Sequence, residues 1–225
     1  MIFSTSSTKA AMPQRRASAA LPWHWALGLG ALSILGAYAF VDRPLAIYIH
    51  AQDWRRYAWL ERSTHLCDAL IALAVVVGLV QVLGLGSRLP GRRVLNPMAL
   101  AVALGSFLKE SLKYAFSRAW PETWTHHNPS LIANQVYGFF WFQPGDAYRS
   151  FPSGHATVVF AAMTVLWLAA PRWRWLCVAA CSAVCLGLLG MNYHFLSDLI
   201  AGGLLGAACG RLVVDRPRPG DHVTC

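Results

Sequence analysis

Two histidines stand at the mouths of apolar runs in this chain, and each has neighbours that suit it to phosphorus chemistry. The first, His155, closes the stretch Arg149-Ser150-Phe151-Pro152-Ser153-Gly154-His155, where a Pro-Ser-Gly turn leads straight into apolar sequence. Pro152 and Gly154 allow a sharp turn, and Ser153 with the first free amides of the following helix makes a nest for an anion. The second, His194, lies in Tyr193-His194-Phe195-Leu196-Ser197-Asp198, with a carboxylate four residues later at the start of the last apolar run. In a helical or near-helical segment that spacing brings Asp198 to the imidazole. One histidine oriented by an acid and another beside an anion nest read as nucleophile and general acid for phosphoryl transfer.

The elements that must position these groups are set by composition. With 225 residues, 56% apolar and 13% charged, the chain has too little polar surface to cover a soluble globule of its size. The expected fold is an all-α, polytopic membrane protein with six transmembrane helices over residues 21–41, 66–85, 95–116, 153–170, 173–191 and 196–214. Residues 1–20 read as a disordered basic arm, 21–214 as one membrane domain, and 215–225 as a polar tail. Ala37-Tyr38-Ala39 could end a cleaved signal, but removing the first run would leave five spans and break the charge pattern. Residues 42–64 mix apolar side chains with Arg55, Arg56 and Arg62, as in an interfacial amphipathic segment.

The net charge of +9 does not point to nucleic acid, because the basic residues are scattered between apolar runs. Cys177, Cys181 and Cys185 recur along one helical stripe and read as packing residues, and no Cys/His ligand spacing calls for a metal or a cofactor. Lys109, Glu110 and Lys113 fall before the third apolar run ends, where charges face a polar cavity or pair with each other, as Glu110 with Lys113. Residues 118–151 form the longest connection and hold the pair His126/His127 and the aromatic cluster Tyr137 to Phe142. The histidines read as ordinary loop residues, and the cluster as an interfacial anchor or a lip for an entering lipid.

With six spans, Lys9, Arg15, Arg16, Arg88, Arg92, Arg93, Arg172, Arg174, Arg211, Arg216 and Arg218 share one face, eleven of the 19 Lys and Arg. By the positive-inside rule that face, with both termini, is cytoplasmic, and His155, His194 and Asp198 lie on the other. The end of the third span, the start of the fourth, the end of the fifth and the start of the sixth all meet there.

In order and spacing these residues resemble the type 2 phosphatidic acid phosphatase (PAP2) superfamily, membrane branch, whose motifs are Lys-x6-Arg-Pro, Pro-Ser-Gly-His and Ser-Arg-x5-His-x3-Asp. The second is complete as Pro152-Ser153-Gly154-His155. In the first, Lys113 and Pro121 match but Trp120 stands at the arginine; in the third, His194 and Asp198 match but Gly187 and Leu188 replace Ser-Arg. The resemblance implies a phosphatase acting on a lipid phosphomonoester or diphosphate in a bacterial cytoplasmic membrane, without metal. His194 would be the nucleophile, Asp198 its orienting acceptor and His155 the acid. Lys113, Arg118, Arg149, Ser153 and Gly154 would hold the phosphate oxygens, Arg118 and Arg149 standing in for the missing motif arginines. A lipid phosphotransferase using the same phosphohistidine, or a non-catalytic lipid-binding or transport protein, are the alternatives. The expected partners are the lipid substrate and membrane lipids, with no nucleic acid.

Overall fold

The computed structural model describes residues 23–124 and 127–215, so the expected basic arm and all of the tail after Asp215 lie outside it. Among the described residues the chain is helical, with isolated bridges but no strands. The first apolar run forms α1 (Trp23–Gly36), which continues through a π-helical turn (Ala37–Val41) into α2 (Asp42–Ala51). Pro44 explains the turn. It has no N–H for the carbonyl of Phe40 and its ring would strike that carbonyl in a regular helix, so the wider turn just before it lets the rod go on.

This divides the segment expected to lie flat at the interface. Residues 42–51 prolong the first helix, whereas α3 (Ala58–Thr64) leads almost directly into α4 (Leu66–Val82). The chain then forms α5 (Arg92–Phe116), a four-residue α6 (Leu131–Asn134) capped by Ser130, α7 (Gly154–Ala169), α8 (Arg174–Gly190) and α9 (Leu196–Val214). Among the described residues four stretches are long and apolar enough to cross a membrane: Trp25–Ala51, Ala58–Val82, Pro171–Gly190 and Leu196–Val214. Gly154–Ala169 is apolar but shorter, and α5 is 25 residues long but carries Arg92, Arg93, Lys109, Glu110 and Lys113. The protein is thus a helical membrane protein.

Helix α7 is the axis of the bundle, packed by α4, α5, α8 and α9. Small and β-branched residues make this possible: Ala156, Val158, Val159, Ala161, Ala162 and Val165 are wholly buried along it. Helix α9 meets it through Gly202, Gly206 and Gly210, where an added Cβ would lie 2.4, 2.2 and 2.7 Å from the carbonyl oxygens of Ser153, Thr157 and Ala161. Only glycine lets two backbones come so close. Helix α3 seats on α8 in the same way, and a Cβ at Gly187 would lie 2.4 Å from the Leu60 carbonyl oxygen. Gly187, one of the two positions where the resemblance expects Ser-Arg, is therefore a packing contact, and Leu188 beside it is fully buried in the core.

Candidate active site

The starts of α4, α7 and α9 and the ends of α5 and α8 converge at one end of the bundle, under the loop of residues 117–153. A cleft of about 530 Å³ opens there, lined by His155, His194, Lys109, Lys113, Arg149, Gly154, Trp120 and Trp124, with Cys67, Asp68, Ile71, Glu110 and Asp146 completing its wall. A second cleft, of about 430 Å³ between α7 and α8, is lined by residues such as Phe160, Met163, Trp167 and Val178 and has no charged group to meet a phosphate.

His155 is the second residue of α7, delivered by the turn that the sequence predicts. Ser153 is the N-cap, its hydroxyl accepting the Ala156 amide at 3.4 Å and its own amide donating to the Asp198 carbonyl at 3.0 Å. The first-turn amides of Gly154 and His155 have no carbonyl of their own helix to meet, and Gly154 lines the cleft. The Ser153 hydroxyl does not line it. It is wholly buried and committed to the cap, which corrects the expectation that it holds a phosphate oxygen.

His194 sits in the turn between α8 and α9, its ring centroid 6.4 Å from that of His155 and 5.4 Å from the Trp120 ring. Its Nδ1 lies 3.6 Å from Asp198 Oδ2, too far for a direct hydrogen bond. Ser150 fills the gap. Its hydroxyl donates to Asp198 Oδ2 at 2.6 Å and lies 3.5 Å from His194 Nδ1. Asp198 Oδ2 also accepts the Phe195 amide at 3.0 Å, so this carboxylate both caps α9 and faces the histidine. With Nδ1 turned to this pair, Nε2 is the ring nitrogen left for a ligand. Burial, the strongest influence on His194, pushes its pKa below the ordinary 6.5; Asp198 pulls the other way and Lys113 adds to the downward push. Burial thus favours the neutral form of this ring. Asn192, at a positive φ of 54°, anchors the turn by donating to the Ala46 carbonyl at 3.0 Å and to Glu122 at 3.1 Å. Glu122 in turn meets Arg55 at 3.0 Å and His50 at 3.3 Å.

The cations divide into two groups. Lys109, Lys113 and Arg149 line the cleft. Lys113 donates to the Arg149 carbonyl and lies 5.6 Å from the Trp120 ring centroid. Glu110, expected to pair with Lys113, pairs instead with Lys109 at 3.1 Å and with Arg149. Arg118 differs from all three, which corrects the expectation that it grips the substrate. It does not line the cleft, and its side chain is completely buried behind Asp198. It donates to Asp198 Oδ1, to Ser197 Oγ at 2.6 Å, to Asp42 Oδ2 at 2.8 Å and to Tyr137 at 3.2 Å. Tyr38, Tyr137, Phe139 and Phe195 enclose it, with ring centroids 5.1, 5.4, 5.1 and 4.3 Å away. Burial works against the charged guanidinium, but Asp198 and Asp42 outweigh it and hold its pKa above the usual arginine value.

The aromatic cluster expected to be an interfacial anchor or a lip is therefore split. Tyr137 and Phe139 wall the arginine, whereas Trp141 and Phe142 are exposed. Ser150, Asp42 and Ser197 are the participants the sequence reading missed. A lone carboxylate after a membrane-length apolar run, Asp42, was the one signal available; Ser150 carried none. His126 lies outside the described residues, and His127 is exposed. Among the described residues one group of three possible metal ligands, Cys67, Asp68 and His155, has donor atoms within 4.8 Å of one another. Asp68 and, against it, Lys113 and Lys109 all bear on His155.

The PAP2 superfamily matches residues 95–219 of the chain. A lipid A 1-phosphatase of Rhizobium johnstonii is 37% identical over 111 residues, 47% of this chain and 41% of that protein. An undecaprenyl-diphosphatase of Sulfolobus acidocaldarius is 26% identical over 117 residues, 52% of each chain. The chain thus spans about half the length of the curated relatives it matches, between 41% and 52%. No solved structure matches it.

Proposed function

The chain belongs to the PAP2 superfamily, and on that premise we propose that it is a membrane lipid-phosphate phosphatase that hydrolyses a phosphomonoester or diphosphate through a phosphohistidine. The observation that carries the reading is the pair of histidines facing each other across a cleft walled by Lys109, Lys113 and Arg149. The relatives are named as a lipid A 1-phosphatase and an undecaprenyl-diphosphatase, which supports a lipid phosphate or diphosphate as substrate.

In this mechanism His194 Nε2 attacks phosphorus, the P–O bond to the leaving group breaks, and His155 gives that oxygen a proton. The ring of His194 becomes positive as the P–N bond forms, and Asp198 with Ser150 steadies it. Lys109, Lys113, Arg149 and the Gly154 amide hold the equatorial oxygens, which carry most of the charge. His155 then takes a proton from water, which attacks phosphorus, breaks the P–N bond and releases inorganic phosphate and neutral His194. The reading includes six spans, α5 and α7 among them, with the cleft on the non-cytoplasmic side of a bacterial cytoplasmic membrane and both termini in the cytoplasm. The excess of Lys and Arg on the opposite face supports that orientation.

The test is phosphate release by the purified protein from a panel of lipid phosphates and diphosphates, with and without a chelator. Release should persist in chelator and fall below detection in His194→Ala. Release by His194→Ala at the parent's rate would overturn the phosphohistidine, and transfer to an acceptor without free phosphate would replace hydrolysis with phosphotransfer.

A further inference from the structure

Behind the nucleophile lies a sealed set of charges that reaches outside the family-matched region. Asp42 opens α2, well before residue 95, and its side chain is wholly buried. It accepts from Arg118 Nη2 at 2.8 Å, from the Ser197 amide at 3.0 Å and from the Ser197 hydroxyl. Arg118 passes the contact on to Asp198, and Asp198 through Ser150 to His194.

The charges in this chain of contacts do not balance. Two carboxylates share one guanidinium, and all three side chains have no exposed surface. A buried excess of one negative charge is unfavourable unless something positive compensates it. The groups facing His194 are Lys113 from α5, His155 from α7, Asp198 from α9 and Ser150 from the loop. Without Asp42, Arg118 would neutralise Asp198 and the nucleophile would face a net positive wall.

We propose that Asp42 is a positioning residue for the phosphoryl transfer: it holds Arg118 off Asp198's face toward His194 and supplies the buried negative charge that the ring meets as it turns positive. The inference rests on His194 being the nucleophile. Such preorganised charge is strongest in the transition state, so its loss acts on kcat more than on KM.

The experiment compares the full-length parent with Asp42→Asn and Asp42→Glu in detergent, with rates expressed per folded molecule and measured across pH. Asp42→Asn keeps the shape and one acceptor, enough for the Ser197 amide, but removes the charge and the second acceptor. Its kcat should fall by roughly ten- to a hundredfold, the range for groups that orient a ligand from behind, with KM within about twofold. The acid limb of its rate profile should move to lower pH, because a less negative surrounding disfavours the imidazolium. Asp42→Glu keeps the charge and should leave the limb in place while losing part of the rate through the displaced Arg118. Parent-like kcat in Asp42→Asn, or a loss that merely follows the amount of folded protein with the limb unmoved, would overturn the inference. If Asp42→Asn does not fold, parent-like kcat in Asp42→Glu would overturn it as well. A parent that releases phosphate and an inactive His194→Ala keep the functional reading standing whatever Asp42 does; an inactive parent removes both.

Discussion

The two sides of His194 handle charge in opposite ways. On the cleft side, Lys109 and Arg149 keep 19% and 28% of their side-chain surface; Glu110 pairs with both, and Asp146 lies 3.5 Å from Arg149. On the far side Arg118, Asp42 and Asp198 keep none, and their polar contacts run to one another and to Ser197, Tyr137, Ser150 and the Phe195 amide. Cations that keep exposed surface can meet an anion that comes and goes. Sealed and mutually bonded ions cannot, and they fix the geometry of whatever touches them. The two arginines differ in this way, Arg149 partly exposed in the cleft and Arg118 sealed behind it, and burial tells them apart where the sequence does not.

The sharpest way to break this contrast is Arg118→Met. It strands two buried carboxylates and should destabilise the fold by about 3–5 kcal/mol, seen as a large drop in the thermal unfolding midpoint and little inserted protein. An Arg118→Met protein as stable as the parent would mean that the buried set is dispensable. Arg149→Met should behave in the reverse manner. Its unfolding midpoint should stay near the parent's, while the rate of phosphate release falls by about a hundredfold or more, as for loss of one donor to a transition-state oxygen. If Arg149→Met instead unfolds early with its activity per folded molecule intact, the cleft side is structural and the division fails.

The mildest effect concerns pH. Because the folded environment lowers the pKa of His194, the ring stays neutral as pH falls through 6.5, the ordinary value. The acid limb of the rate profile should therefore lie below 6.5, measured as phosphate release across pH in low salt. The same shift acts on stability in that direction: an unfolded chain gains the proton first, so this group's contribution is full above about 6.5 and is lost as pH drops below it. An acid limb above 6.5 would show that Asp198 outweighs burial.

Much of the architecture could be read from periodicity and punctuation. The run expected over 196–214 coincides with α9, and those over 153–170 and 173–191 come within a residue or so of α7 and α8, because each is bounded by Pro, Gly or a charge. The spacing of His194 and Asp198 likewise announces their nearness. What could not be read is what depends on distant segments meeting. Ser150 reaches Asp198 across 48 residues and Asp42 reaches Arg118 across 76, and no local pattern encodes either. The role of Arg118 misled for a related reason. Proximity to Lys113 in sequence suggested a shared cavity, but the left-handed residue Ser117 between them turns the chain, so Lys113 lines the cleft and Arg118 points behind it. Trp120 and Gly187 show that an absent motif residue can have a packing reason: the Trp120 indole donates to the Ala147 carbonyl at 3.0 Å beside His194, and Gly187 seats α3.

The glycines of α9 set the working gap of the site. His155 rides on α7 and His194 leads directly into α9, and those two helices touch backbone to backbone at Gly202, where even a methyl group would lie 2.4 Å from the Ser153 carbonyl oxygen. A side-chain interface can breathe by changing rotamers within nanoseconds, but a backbone contact has none to change. The two histidines are therefore held like the jaws of a fixed gauge. Trp124 and Arg149 of the loop form the other side of the cleft, away from that contact.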